Sequence, residues 1–204
     1  MGRTSDARER LVAAATELFS ERAYSSVGVA EIAARAGVQK GSFYHFFPSK
    51  EALALAVIDE HWAGQRHEWT TLLEREGTAL ERLHAIFDAT SRRQSAALQG
   101  TGSVTGCLFG NLAIEVSSTN APMQKRLQEI FEEQVALIGA QLQSAVDTGE
   151  LTVDDVPTAA RSIVAQLEGL VLFAKVFNDP GQLDALWANS LRLIGVPDPA
   201  AVSS

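Results

Sequence analysis

Apolar residues in this chain recur at intervals of three and four almost from end to end, and no segment alternates as a half-buried strand would. Leu11, Ala14, Ala15, Leu18 and Phe19 carry the pattern near the start, and Ile130, Gln134, Leu137 and Ile138 repeat it far down the chain. That period puts the apolar positions on one face of an α-helix each time, so the chain is confined to an all-α fold. The spacing predicts helices over 5–22, 29–36, 39–45, 50–76, 78–98, 107–117, 121–148, 155–177 and 182–194. The breaks have local causes. Gly37 separates two short helices, Pro48 ends one, and Ser49 offers a hydroxyl to the first turn of the next. Residues 100–106, rich in glycine, read as a flexible loop, Asn120-Ala121-Pro122 opens a helix and Gly149 closes it.

With 204 residues, 46 % of them hydrophobic, the chain can bury one substantial core or a small domain beside a larger one. No apolar run is long enough to span a bilayer, and the first residues lack a signal peptide's apolar segment, so a cytoplasmic protein with no membrane partner is expected. The single cysteine, Cys107, cannot close an internal disulfide. The scattered His61, His67 and His84 form no metal-binding constellation, and no nucleophile and base stand together as an enzyme requires. No metal, cofactor or catalytic residue is therefore expected.

Charge is distributed unevenly. The net value is −8, yet residues 1–50 hold seven Lys/Arg against five acids. That suits a DNA-facing module at the start of an acidic body. Within this module two short helices flank Gly37, the first from Val29 and the second over Gln39–His45, in the helix-turn-helix pattern. Ala33 is small where helices must cross closely, Gly37 suits a left-handed turn, and Ile32, Val38 and Phe43 can meet beneath with Leu18 and Phe19. Gln39, Lys40, Ser42, Tyr44 and His45 then point outward. Gly41, unfavourable inside a helix, makes sense where backbone must approach DNA closely.

The series Ala14–Phe19, Glu31-Ile32-Ala33, Ala36-Gly37-Val38 and Lys40-Gly41-Ser42-Phe43-Tyr44-His45-Phe46-Phe47-Pro48-Ser49-Lys50-Glu51 closely resembles the DNA-binding domain of the TetR family. The resemblance implies a DNA-binding domain over 1–49 and an effector-binding and dimerisation domain over 50–204. It also implies a homodimeric repressor on inverted-repeat operator DNA, released by a small molecule. Gln39, Lys40 and Ser42 would face the major groove, with Tyr44, His45 and Lys50 on phosphates; the plainer readings are a Tyr44 packed against the start of the long helix and solvated lysines. Two positions depart from the family. Val27-Gly28 replaces a hydroxyl at the start of the second helix, leaving the backbone at Gly28 and Val29 to meet a phosphate. Ala23 stands where glycine is usual, which predicts strain where the first helix ends.

Farther on, Gly106-Cys107-Leu108-Phe109-Gly110-Asn111 resembles a branch of the family that includes NemR-like and AcuR-like repressors. Cys107 at a helix start is either a reactive thiol sensing electrophiles or oxidants, or an inert apolar residue. Lys175 either turns inward to stabilise a thiolate or snorkels outward. The effector-pocket candidates are Trp62, Trp69, Phe87, Cys107, Asn111, Gln134, Gln166 and Lys175, although aromatics at helical spacing are core as readily as pocket. For dimerisation the last two helices are favoured, through Ala165, Gly169, Leu183, Leu186, Trp187 and Leu191.

Overall fold

The computed structural model describes residues 3–195, which form nine α-helices and two short 3₁₀ turns with no strand. No helix among them is long and apolar enough to cross a membrane. The helices are α1 (Arg3–Glu21), α2 (Val29–Arg35), α3 (Lys40–Phe46), α4 (Lys50–Leu73), α5 (Ala79–Thr101), α6 (Leu108–Val116), α7 (Ala121–Asp147), α8 (Val156–Phe177) and α9 (Leu186–Leu193). The turns are Tyr24–Ser26 and Pro180–Leu183. The expected last helix over 182–194 is thus a 3₁₀ turn followed by a shorter helix. Asp179 caps the turn by accepting from the Gly181 N–H, and Pro180 fixes its first residue.

Two compact units divide the chain, Met1–Gln65 with Cys107–Glu129, and Arg66–Gly106 with Ile130–Ser204. In the first, Leu11, Ala15, Leu18, Ile32, Phe43, Leu53, Val57, Ile58 and Leu112 are fully enclosed. The first turns of α4 thus share a core with α1–α3, and residue 49 falls inside this unit rather than at its edge. Exposed ion pairs bind α2 to α1 and to the residue that follows α1: Arg35 with Glu17 at 3.1 Å and Arg22 with Glu31 at 2.8 Å. Arg10 donates to the carbonyls of Ala36 and Gly37 at 3.0 and 3.4 Å, satisfying groups that the end of α2 leaves open. Gly37 has φ +63°, the left-handed turn expected of it. Ala23, by contrast, rests at φ −58°, ψ 134°, an ordinary extended conformation. The expected strain there is absent because α1 has already ended and the turn at Tyr24 needs no left-handed residue.

In the second unit α5 starts with a reciprocal capping box between Thr78 and Glu81 and runs through Gly100 to a left-handed Gly102. The segment after it is ordered, contrary to the flexible loop expected over 100–106. Gln94, 3 % exposed, holds both sides of Gly106, its amide nitrogen donating to the carbonyl at 3.1 Å and its oxygen accepting the N–H at 3.0 Å. Asn178, in the left-handed position that ends α8, accepts from the Val104 N–H at 2.8 Å and donates to the Gly102 carbonyl at 3.2 Å. Two side-chain amides, one on α5 12 residues before Gly106 and one 74 residues beyond Val104, thus pin a segment that glycine content alone suggests is loose.

Candidate nucleic-acid interface

Phe43 decides which face of α3 looks outward. Its side chain is fully buried, with Phe47 at 6.0 Å between ring centroids, so the helical period turns most of the remaining positions away from the core. Gln39, Lys40, Gly41, Ser42, Tyr44 and His45 are all exposed, Tyr44 by 54 %. Ala33, at 1 %, lets α2 approach its neighbours closely, and Val38 is half-buried in the turn. The result is a small rigid surface with amide, ammonium, hydroxyl, phenol and imidazole groups on one short helix. Such groups can bond to base edges and phosphates.

The two glycines on this surface are not required by the chain's own packing. A methyl group on Gly28 or Gly41 would meet no atom within 4 Å. Gly28 precedes the first turn of α2 in an extended conformation; its carbonyl accepts the Glu31 and Ile32 N–H groups, and no side chain caps those of the half-buried Val29 and of Ala30. A helix start of this kind attracts an anion.

Lys50 is placed differently. Its Nζ donates to the carbonyls of Tyr24 and Val27 at 2.9 and 3.0 Å and lies 4.1 Å from the centroid of the Tyr24 ring. Burial lowers its pKa, while the charge of Glu115 works in the opposite direction. Lys50 therefore braces the Tyr24–Ser26 turn within the free protein.

The pocket candidates divide between the units. Trp62, Cys107 and Asn111 belong to the first; Trp69, Phe87, Gln134, Gln166 and Lys175 belong to the second. Trp62 is buried with its ring 6.1 Å from that of Phe109. Cys107 is the N-cap of α6, its Sγ accepting the Gly110 N–H at 3.4 Å, and Asn111 is half-buried one turn on. Trp69 and Phe87 are core residues at 1 % and 3 % exposure, and Phe87 packs against Trp187 at 5.9 Å. Cys107 and Lys175 lie in different units.

Gln134 stands apart. It is 1 % exposed, and neither its amide nitrogen nor its oxygen finds a hydrogen-bond partner among the described residues. Gln166 donates to the Leu186 carbonyl at 3.3 Å, but its buried oxygen has no such partner. With Ser162, Ala165, Asn189, Arg192 and Leu193 it lines an open groove of about 600 Å³ between α8 and α9.

Of the six residues expected in the dimerisation stripe, four pack within a single chain and two, Ala165 and Gly169, do not. Leu183, Leu186 and Leu191 are 3 %, 1 % and 5 % exposed within a single chain, and Trp187 is half-buried with its ring 4.7 Å from that of His84. These side chains face α5 and α8, so they complete their own unit's core. The apolar surface left uncovered on α8 and α9 is Leu172, Phe173, Val176, Phe177 and Leu193, continuous along α8 with the exposed Ala165 and half-exposed Gly169.

Residues that sequence reasoning passed over include Arg10, Gln94, Glu115 and Asn178. Glu115 bonds from α6 to the turn before α2, with each carboxylate oxygen 2.6 Å from a backbone nitrogen, those of Tyr24 and Ser25.

The pattern of a family described as bacterial regulatory proteins, tetR family, matches residues 11–57, and that of a tetracyclin repressor-like C-terminal domain matches 79–189. The transcriptional repressor DhaR of Mycobacterium sp. strain GP1 is 33 % identical, over 87 % of this chain and 86 % of its own. The transcriptional regulator AcuR of Cereibacter sphaeroides is 32 % identical, over 87 % and 80 %. The crystal structure of the reduced form of Escherichia coli NemR superimposes with a TM-score of 0.84 at 30 % identity, covering 94 % of this chain and 98 % of that one.

Proposed function

This chain belongs to the TetR family of bacterial transcriptional regulators, and from that premise we propose that it is a cytoplasmic, non-enzymatic, homodimeric repressor released from its operator by a small molecule. Residues 1–49 read an inverted repeat in double-stranded DNA; residues 50–204 hold the effector and the partner subunit. The observation that carries this reading is the α3 surface: buried Phe43 locks the helix while Gln39, Lys40, Ser42, Tyr44 and His45 are exposed around a glycine with no neighbour. Gln39, Lys40 and Ser42 face the bases. Tyr44, His45 and the N–H groups after Gly28 meet phosphates. Lys50 joins them with the ammonium proton its two carbonyls leave over.

Effector control requires only that the effector favour one spacing of the two reading heads over another. The 24 residues of α4, about 36 Å of continuous helix, begin beside α3 and carry such a change without altering any base contact.

Binding to a duplex selected by the wild-type protein from a random pool tests the groove assignment. Lys40→Ala is expected to weaken binding about tenfold and to relax the preference at one base position, because a base contact is lost. Gly41→Ala is expected to stabilise the free protein by about 0.5 kcal/mol, since alanine orders a helix at lower entropic cost. The same methyl group stands between backbone and DNA, so operator affinity should fall about tenfold or more. Operator affinity unchanged in both variants would place the contact surface elsewhere.

A second reading, a thiol-sensing repressor, is favoured by one contact. The Cys107 Sγ is the cap of α6, so alkylating it removes the bond to the Gly110 N–H. N-ethylmaleimide should then lower operator affinity of the wild type and leave Cys107→Ser untouched, the serine oxygen keeping the cap. Equal behaviour of the two proteins eliminates this reading.

A further inference from the structure

The Tyr24–Ser26 turn joins α1 to the helix-turn-helix, and it lacks a cap of its own. Its N-cap residue is Ala23, which has no side chain able to accept the N–H groups of the first turn. Glu115 supplies what Ala23 cannot, receiving the Tyr24 N–H on Oε2 and the Ser25 N–H on Oε1. Lys50 holds the carbonyl side of the same turn through Tyr24 and Val27. A carboxylate thus sits at the positive end of the turn and an ammonium at the negative end. Burial would raise the Glu115 pKa, but hydrogen bonds from Ser25 and Tyr24 and the charge of Lys50 bring it below the usual carboxylate range. The bonds therefore hold fully above that range and are lost as pH falls through the depressed value.

A serine or aspartate at position 23 would satisfy the same N–H groups locally. Stability alone therefore does not call for a residue 91 positions away. What the remote cap adds is dependence: the start of α2, three residues beyond the turn, is held wherever α6 holds it. At its other end α6 begins with the Cys107 cap, directly after Gly106, which Gln94 grips on both sides. Helix α6 is a nine-residue rod, about 13 Å long, attached at both ends.

We propose that Glu115 is a positioning residue for DNA binding: by capping the Tyr24 and Ser25 N–H groups from α6 it sets where α2 begins, and so relays the position of α6 to the groove-facing helix α3. The proposal rests on the reading of α2–α3 as the operator-binding surface. Lys40→Ala serves as the control that fails separately, since a full-affinity Lys40 variant indicts that reading and not the relay.

Coupling between two sites is reciprocal, so operator DNA can act as the perturbation while the effector is unidentified. The test measures operator affinity, salt dependence and amide exchange in residues 108–116 with and without the selected duplex, for the wild type, Glu115→Gln, Glu115→Ala and Ala23→Ser/Glu115→Ala. In the wild type, operator should change the exchange of α6. Glu115→Gln should bind operator about tenfold more weakly with an unaltered salt slope, and the response of α6 to DNA should vanish. Ala23→Ser restores a local cap, so the double variant should regain the melting temperature lost by Glu115→Ala without regaining the α6 response. Should Glu115→Ala not fold, the double variant and Glu115→Gln carry the test. Wild-type affinity in Glu115→Gln, an α6 response that survives in it, or recovery of that response in the double variant would each overturn the relay and leave Glu115 a structural cap.

Discussion

Replacing Phe173 with glutamate is expected to turn the protein into a folded monomer that has lost specific operator binding. Phe173 is 53 % exposed, stacks on Phe177 at 6.1 Å, and sits between Leu172 and Val176 on the uncovered face of α8. In a two-fold interface every substitution is present twice, and an unpaired charge buried there costs about 3–5 kcal/mol. Two copies weaken association by roughly 6–10 kcal/mol, four or more powers of ten in the dimer dissociation constant. A monomer reads one half-site, so operator affinity should fall toward non-specific binding, roughly a thousandfold or more. Leu183→Glu is the informative contrast. That side chain is 3 % exposed inside one chain, and its replacement should lower the melting point sharply rather than yield a folded monomer. Sedimentation and circular dichroism on the two variants separate the cases. A Phe173→Glu protein that remains dimeric at micromolar concentration would move the interface off α8.

That contrast shows how far the sequence was legible. Periodicity identifies an apolar face, not what covers it. Leu183, Leu186 and Leu191 have the spacing of an interface stripe, and nothing local distinguishes them from a stripe that meets α5 and α8 of the same chain. The α3 surface was readable because one large buried residue, Phe43, fixes the phase of a short helix and the remaining side chains follow. Helix ends were readable where the cap is local, as at Ser49, whose Oγ accepts the Ala52 N–H at 3.0 Å. They failed where the partner is distant. The segment after α5 looks loose from its glycines, but Gln94, reaching forward from α5, and Asn178, at the end of α8, decide its order. The relay through Glu115 left only a negative trace, an alanine where a turn needs an acceptor.

The same reasoning applied to buried amides isolates Gln134. On α7 the enclosed positions Leu127, Ile130, Ile138 and Leu142 follow helical spacing, and Gln134 occupies the place where the stripe calls for another aliphatic residue. Gln94 shows what a buried glutamine looks like when the chain itself employs it, with nitrogen and oxygen both bonded to Gly106. Gln134 has neither bond among the described residues. Each buried polar group left unpaired costs about 1–3 kcal/mol, a penalty relieved where a ligand or ordered water supplies the missing partners. Gln134→Leu, close in volume and fully apolar, is therefore expected to stabilise the free protein by about 2 kcal/mol or more in denaturant unfolding. Operator binding without effector should be unchanged, because Gln134 lies outside the unit that contains α3. The response to effector is expected to disappear, since a ligand bonding to both ends of the amide would meet two methyl groups instead. Gln134→Glu discriminates further, as it keeps the acceptor and loses the donor, and should weaken the response without the gain in stability. If Gln134→Leu destabilises the protein, the amide is held by ordered water as part of the core. If it stabilises the protein yet leaves the effector response intact, the ligand binds elsewhere.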